Sequence, residues 1–194
     1  MHKFLISVAA VFLLTGYLVA GDAPGLRKAP ELAFSIPGQG QKQLADYRGK
    51  VVALEFIFTT CPHCQAASKV MTKLQQEYGP RGLQVIDVAI NPNADLLVEN
   101  FAKEFEVNFP VGWATAQQMQ TFMGFSATDR YVVPQLVLID RKGNIHYQTP
   151  ATSSDDWIKL MAEPAIRQHI EELLGSNGSA AVSHPASSSL PAAK

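Results

Sequence analysis

The sequence predicts an α/β domain in which helices cover both faces of a central mixed β-sheet. Two runs, VVALEFIF at 51–58 and LQVIDVAI at 83–90, are largely apolar at both odd and even positions. This pattern is expected of strands that are buried on both faces. A helical pattern follows each run, and a hairpin pattern comes later. Strands that alternate with helices and end in a hairpin indicate this architecture.

The first half of the domain carries two predicted strands and a long helix. Residues 31–36 form a short strand pattern that turns at PGQGQ, and the strand at 51–58 follows it. A helix should begin at Pro62 and stop at Gly79 and Pro80. The apolar residues that recur at three-to-four spacing on its buried side are Ala67, Val70, Met71, Leu74 and Tyr78.

Two shorter helices, a hairpin and a terminal helix make up the second half. Asn93 can cap one helix, and Thr115 can cap another that ends at Gly124. QLVLID and IHYQ, joined by a turn at RKGN, form the hairpin. The terminal helix at 155–174 should be kinked or split by Pro164. The apolar stripe of the helix that Asn93 caps consists of Leu97, Phe101 and Phe105. The candidates for the buried side of the terminal helix are Trp157, Leu160, Ile166, Ile170 and Leu173.

The two ends of the chain differ from the domain between them. Lys3 precedes an apolar run at 4–20, which is the order of a secretory signal. We therefore expect residues 1–21 to be a signal peptide and the protein to be exported, to the periplasm or another extracytoplasmic site. Because the run is close to the length that spans a bilayer, an uncleaved membrane anchor is the alternative. The domain occupies 26–174, and the Ser-, Ala-, Gly- and Pro-rich segment 175–194 is typical of a disordered tail.

Composition excludes several classes of function. The formal net charge is -1, so the chain lacks the large basic field that nucleic-acid binding requires. Its two cysteines are too few for a disulfide framework or a four-cysteine zinc site. The two cysteines should therefore act with each other.

Both cysteines lie in one tight turn, CPHC, where a strand runs into a helix. Unpaired N–H groups at the helix N-terminus favour an anion, so the thiolate of Cys61 is stabilised there. Pro62 suits the first helical turn. Cys64 lies one turn deeper, so Cys61 should attack a disulfide and Cys64 should resolve the mixed disulfide. A structural disulfide here would close too small a loop to stabilise the fold much, and a metal site would need further ligands.

Three segments resemble the thioredoxin superfamily: DYRGKVVALEFIF, FTTCPHC and YVVPQLVLID. The order of elements is most similar to the exported TlpA/ResA branch, which shares an AhpC/TSA-like N-terminus. The resemblance implies a thioredoxin-like fold and a thiol–disulfide oxidoreductase that needs no cofactor. It also implies cysteine-containing protein substrates, a redox partner protein and, for this branch, a link to cytochrome c biogenesis.

The resemblance assigns roles to further residues. Val133-Pro134 occupies the place of the cis-proline that faces the cysteines, so Val133 and Pro134, with Pro62 and His63, should contact the substrate chain. Glu55 lies where thioredoxins carry a buried acid beneath the second cysteine. Burial raises the pKa of a carboxyl, so Glu55 should accept the proton of the resolving thiol.

The direction of electron flow is left open by two conflicting features. The Pro-His pair between the cysteines and the valine before the cis-proline match the oxidase DsbA, whereas the scaffold resembles the reductase branch. A protonated His63 also adds positive charge beside the Cys61 thiolate. Stabilising that thiolate makes the disulfide a stronger oxidant, so we expect a potential more oxidising than that of thioredoxin.

Two other functions of the superfamily remain as alternatives. Sco-type copper carriers use a Cys-x-x-x-Cys pair with a distant histidine, for which His146 and His169 are the candidates in the folded part. The cysteine spacing here is one residue shorter. Peroxiredoxins carry a threonine and a proline where Phe58 and Leu54 stand in this chain. Neither alternative fits as well as thiol–disulfide exchange.

Overall fold

A computed structural model describes residues 26–175, in which eight strands form one sheet in the order β1-β8-β7-β4-β5-β6-β2-β3. The strands are β1 (Arg27–Lys28), β2 (Ala33–Ile36), β3 (Gly40–Gln43), β4 (Val51–Ile57), β5 (Leu83–Ala89), β6 (Val111–Trp113), β7 (Gln135–Ile139) and β8 (Asn144–Gln148). The helices are α1 (Pro62–Tyr78), α2 (Ala94–Glu104), α3 (Ala116–Met123), α4 (Asp155–Met161) and α5 (Glu163–Gly175).

The sheet is mixed, as the sequence predicts. β4 lies at its centre, parallel to β5 and antiparallel to β7. Every residue of β4 is buried, which agrees with its unbroken apolar pattern. The predicted hairpin is formed by β7 and β8, which pair antiparallel.

Helices cover both faces of the sheet. Buried side chains of α1, α2 and α5 share one apolar cluster with Ala53 and Ile57 of β4. Met119 and Phe122 of α3 belong to a second cluster, with Leu54 of β4 and the other residues on the opposite face. The α/β class, with a central mixed sheet flanked by helices on both faces, is therefore confirmed.

Helix ends follow the predicted signals, with one exception. Thr115 accepts a hydrogen bond from the Gln118 N–H at the start of α3, and Gly124 ends that helix with φ 74°. Asn93 occupies the N-cap position of α2, but its backbone is left-handed (φ 56°) and its side chain makes no capping hydrogen bond. The predicted terminal helix is split: Ala162, two residues before Pro164, is extended and separates α4 from α5.

Two predicted apolar stripes are confirmed in part: Phe101 of α2 is buried, and so are Ile166, Ile170 and Leu173 of α5. The buried side of α2 consists of Ala94, Val98 and Phe101, whereas Leu97 and Phe105 are only partly buried. Trp157 and Leu160 are also only partly buried, and none of the other residues of α4 is completely buried. In α1, Ser68 takes a buried position next to the partly exposed Ala67.

Strands β1, β3 and β6 were not predicted. β1 and β3 are polar, with the sequences RK and GQKQ, and β6 has three residues. The predicted signal or anchor at 1–21 lies outside the described residues, as does almost all of the predicted tail, since α5 extends to Gly175. Within 26–175, none of the helices has the length and apolar character needed to cross a bilayer.

Candidate redox site

The dithiol lies where the carboxyl end of β4 leads into α1. Cys61 is the N-cap residue, with extended backbone angles (φ -88°, ψ 119°), and Pro62 occupies the first helical turn. The Cys61 N–H donates to the Phe58 carbonyl over 3.1 Å, and the Cys61 carbonyl accepts from the Gln65 N–H over 3.0 Å. The sequence therefore predicts the start of this helix correctly, and Cys61 sits beside its unpaired N–H groups.

The two thiols differ in burial. Both cysteines are free thiols; Cys61 is partly exposed, whereas Cys64 is completely buried. Burial raises the pKa of the Cys64 thiol well above its usual range, against a hydrogen bond from the Phe58 N–H that lowers it. Cys61, and Glu55 when it is ionised, raise this pKa further. Cys64 can therefore become a nucleophile only if a nearby group takes its proton.

Side-chain hydrogen bonds hold the turn before Cys61. Asn91 follows β5 and accepts from the Thr59 N–H over 2.9 Å with its Oδ1 atom. Gln65 donates from Nε2 to the Thr59 carbonyl over 3.1 Å. These bonds join the active-site turn to the neighbouring strand end and to the first turn of α1, so the position of Cys61 is fixed from both sides.

Val133-Pro134 is a cis peptide, as the resemblance implies. It places the Val133 carbonyl oxygen 4.0 Å from Cys61 Sγ. Gln135, fully buried, donates from Nε2 to the Val132 carbonyl over 2.8 Å, and the Trp157 indole N–H donates to the Pro134 carbonyl over 3.2 Å. Sequence reasoning identified Val133 and Pro134 but missed Gln135 and Trp157, which hold them in place.

Glu55 is completely buried, as the sequence predicts. No N–H or hydroxyl group of the described residues donates to either of its carboxyl oxygens. Burial raises its pKa well above the ordinary value, and the neighbouring Asp87 raises it further. Burial therefore favours the protonated, uncharged form of Glu55.

Asp87 and Ser68 complete the polar group beneath Cys64, and sequence reasoning missed both. Asp87 is the direct cross-strand partner of Glu55 in the pairing of β4 with β5. It is completely buried, and its Oδ2 atom accepts from the Ser68 hydroxyl over 2.6 Å. A signal existed in the sequence, because each acid is the fifth residue of an apolar strand, so parallel pairing in register brings them together.

Two open clefts flank the dithiol turn. One, of about 400 Å³, has mostly apolar walls. The residues that line it are His63, Ala66, Ala67, Val70, Pro134, Trp157, Ile158, Met161 and Ala162. The other, of about 560 Å³, lies on the side of Phe58, Asn91 and Tyr131. The first cleft therefore opens beside His63 and Pro134, and the second opens beside Phe58.

The two histidines considered as copper ligands make other contacts. His146 Nε2 lies 3.0 Å from Asp140 Oδ2. The His169 ring stacks on Tyr147 with centroids 3.7 Å apart and hydrogen-bonds Glu172. Within residues 26–175, the acids, histidines and cysteines form no cluster of three that could hold a metal ion.

A mixed sheet with a Cys-x-x-Cys dithiol at a strand–helix junction and a facing cis-proline defines a protein of the thioredoxin superfamily. Residues 26–148 match the model of the AhpC/TSA family. The chain therefore belongs to the AhpC/TSA family.

Relatives and solved structures agree with this assignment. The thiol-disulfide oxidoreductase ResA of Geobacillus thermodenitrificans is 28% identical over 145 residues, which are 75% of each chain. ResA of Bacillus subtilis is 26% identical over 130 residues, or 67% of this chain and 69% of that protein. A structure assigned as thiol:disulfide interchange protein DsbE, from Chlorobium tepidum, has 26% identity and a TM-score of 0.62, covering 77% of this chain and 97% of that one.

A second Chlorobium tepidum structure, a thiol:disulfide interchange protein of the thioredoxin family, shares the fold with a TM-score of 0.63 at 22% identity. It covers 80% of this chain and 100% of that one. The chain is thus a ResA-like thiol–disulfide oxidoreductase with the thioredoxin fold, and Cys61 and Cys64 form its Cys-x-x-Cys pair.

Proposed function

We propose that this protein exchanges disulfides with cysteine-containing protein substrates, with Cys61 as the attacking thiol and Cys64 as the resolving thiol. The observation that carries the proposal is the unequal burial of two thiols at one helix N-terminus. Cys61 is partly exposed and Cys64 is not exposed at all. A substrate can therefore reach Cys61 but not Cys64.

The exchange proceeds in two steps, and each step forms one sulfur–sulfur bond and breaks another. The Cys61 thiolate attacks one sulfur of a substrate disulfide; a Cys61–substrate bond forms, the substrate disulfide breaks, and the other sulfur leaves as a thiolate. The Cys64 thiolate then attacks Cys61 Sγ and releases the second substrate thiolate. Two electrons pass from the enzyme to the substrate, and the reverse sequence oxidises a substrate dithiol.

The substrate chain docks beside Val133. This proposal is supported by the position of the Val133 carbonyl, 4.0 Å from Cys61 Sγ, where an extended backbone could donate a hydrogen bond to it. Pro62 and His63, which follow Cys61 in α1, are also exposed. The apolar cleft beside His63, which includes Ile158 with 58% of its surface exposed, suits an apolar substrate residue near the reacting cysteine.

Glu55 acts as the proton acceptor for Cys64 in the resolving step. It is buried on the face of the sheet that lies beneath α1, close enough to Cys64 that an ionised Glu55 raises the pKa of that thiol. Proton transfer between these groups avoids an isolated charge in the apolar interior.

The chemistry requires no bound cofactor, because the electrons come from or pass to a redox partner protein. We place the enzyme outside the cytoplasm, on the basis of the signal-like segment 1–21, and an N-terminal membrane anchor is the alternative. We expect an oxidising potential, because the helix N-terminus and His63 favour the Cys61 thiolate. A role in cytochrome c biogenesis would instead call for a reductase.

Trapping of mixed disulfides tests the roles of the two thiols. Cys64→Ser should accumulate covalent complexes with substrate proteins, because Cys61 can still attack and nothing resolves the product. Cys61→Ser is the matched control and should accumulate none. Non-reducing electrophoresis of both variants after incubation with disulfide-containing proteins measures the difference, and equal trapping by the two variants would refute the assignment.

A further inference from the structure

A second buried carboxyl lies next to Glu55, and its contacts point to a role in the proton transfer proposed above. Glu55 and Asp87 are direct partners across β4 and β5, and neither side chain is exposed. Side chains alternate along a strand, so both point toward the face covered by α1, which carries Cys64 and Ser68. The four groups form one buried polar cluster.

The donors around the two carboxyls indicate where the negative charge lies. Three of the four carboxyl oxygens, Glu55 Oε1 and Oε2 and Asp87 Oδ1, receive no N–H or hydroxyl donor from the described residues. The two carboxyls are neighbours across paired strands and are fully buried, so two negative charges there would repel each other and one of the groups should carry a proton. The Ser68 hydroxyl donates to Asp87, so the negative charge belongs on Asp87 and the proton on Glu55.

Few titratable or charged groups lie near Glu55 and Asp87. The titratable group that faces it is Cys64 on α1, with Cys61 beyond it. No lysine, arginine or histidine among residues 26–175 hydrogen-bonds either carboxyl. The apolar residues of the same cluster on neighbouring elements include Val111 of β6, Leu136 of β7, and Ile166 and Ile170 of α5.

We infer that Asp87 is a positioning residue for the resolving step: it accepts the proton of Glu55 when Glu55 takes the proton of Cys64. Before the step, Glu55 and Cys64 are protonated and Asp87 is charged. After it, both carboxyls are protonated and Cys64 is a thiolate. That thiolate attacks Cys61 Sγ, the Cys61–substrate bond breaks, and the substrate sulfur leaves as a thiolate. The pair later releases its second proton to solvent.

A neighbouring carboxylate lets a protonated Glu55 serve as a base. With its proton in place, Glu55 alone has no capacity to accept another. A neighbouring carboxylate provides that capacity, and the negative charge merely moves from Asp87 to Cys64. The inference rests on the proposed function, because it assumes that Cys64 is the resolving thiol.

Ellman's reagent, 5,5′-dithiobis(2-nitrobenzoate), separates the two steps in one experiment. Reduced protein mixed with one equivalent should release thionitrobenzoate twice: first when Cys61 attacks, then when Cys64 resolves. In the wild type, the second phase should accelerate as pH rises through about 7, where the pair gives up its second proton. A wild type without a second release would refute the proposed roles of the thiols, rather than the role of Asp87.

Asp87→Asn should leave the first phase unchanged and slow the second about tenfold at pH 7, since an amide accepts no proton. The rise near pH 7 should also disappear. Glu55→Gln should slow the second phase by about a hundredfold, because it removes the group next to Cys64. An Asp87→Asn protein whose second phase keeps the rate and pH profile of the wild type would overturn the inference.

Ser68→Ala tests the same role without removing a carboxyl. Loss of the hydroxyl donor destabilises the charged form of Asp87, so the rise of the second phase should move to higher pH. Thr72→Ala is the matched control, because Thr72 carries a buried hydroxyl one turn further along α1 that makes no hydrogen bond. Thr72→Ala should keep the wild-type profile. An unshifted profile in Ser68→Ala would overturn the inference, even if Asp87→Asn fails to fold.

Discussion

The two faces of strands β4 and β5 bury different chemistry. The face toward α1 holds Glu55 and Asp87 beneath Cys64. The face toward α3 buries only apolar side chains from these strands, namely Val52, Leu54, Phe56, Ile86 and Val88. Alternate residues of the same strands supply both faces. The fold can therefore confine its costly buried carboxyls to the side of the resolving thiol while the other side supplies stability.

The largest expected effect comes from breaking the apolar face. Phe56 is completely buried and makes an edge-to-face contact with Phe122, with ring centroids 5.7 Å apart. Phe56→Ala should lower the free energy of unfolding by about 3–5 kcal/mol, because it removes a large buried ring and leaves a cavity. Urea denaturation of the reduced protein measures the loss. The rate of Cys61 attack in the folded protein should not change, and a loss below about 1 kcal/mol would contradict the division between the two faces.

The buried carboxyls of the polar face should make the free energy of unfolding depend on pH. Burial raises the pKa of Asp87 from its ordinary value to about 7 in the folded state. The protonated carboxyl therefore contributes stability that is fully present below about pH 4 and is lost as pH rises to about 7. Asp87→Asn should remove this slope. Between pH 4 and pH 7 its free energy of unfolding should therefore rise relative to that of the wild type by on the order of 3 kcal/mol.

Denaturant unfolding at a series of pH values measures that slope. Glu104→Gln is a suitable control, because it removes an exposed carboxyl of α2 and should retain the wild-type slope. A wild-type protein and an Asp87→Asn protein with parallel stability profiles from pH 4 to pH 7 would show that Asp87 is not protonated on folding.

The smallest effect is expected at His63, which belongs to neither face of the sheet and is exposed at the start of α1. The wild-type reduction potential should be more oxidising than the value of about -270 mV for thioredoxin. His63→Gly should make it more reducing by only tens of millivolts, since about 30 mV corresponds to 1.4 kcal/mol and an exposed charge contributes less than that. Equilibration with glutathione buffers measures both potentials.

His63→Lys keeps a positive charge and is the control, so its potential should stay close to that of the wild type. A wild-type potential at or below that of thioredoxin would favour a dedicated reductase, as the TlpA/ResA-like scaffold suggests.

Local patterns were sufficient for most of the fold and for the dithiol. The apolar run of β4, Pro62 at the start of α1 and the Thr115 cap each act within a few residues, so the sequence shows them directly. Strands β1 and β3 could not be found in this way, because they have no apolar alternation and become strands only by pairing with β8 and β2.

Asp87 illustrates what pattern reasoning could not reach. An acid within an apolar strand has no meaning until its neighbours are known, and those are set by the register of β5 against β4. A slip of one residue would turn the carboxyl to the opposite face and separate it from both Glu55 and Ser68. Helical spacing likewise predicts a buried Trp157, but it cannot show that the indole N–H donates to the Pro134 carbonyl.

The polar edge strands have a consequence for how the protein meets unfolded chains. Among the described residues, the outermost strands are β1, with two residues, and β3, with the sequence GQKQ. Short edges that carry lysine, arginine and glutamine discourage another chain from adding a strand, which is a common route to aggregation. An oxidoreductase that encounters extended polypeptides needs such protection. We expect foreign backbone to be held briefly at the Val133 carbonyl, where a cysteine can react, rather than along the sheet margins.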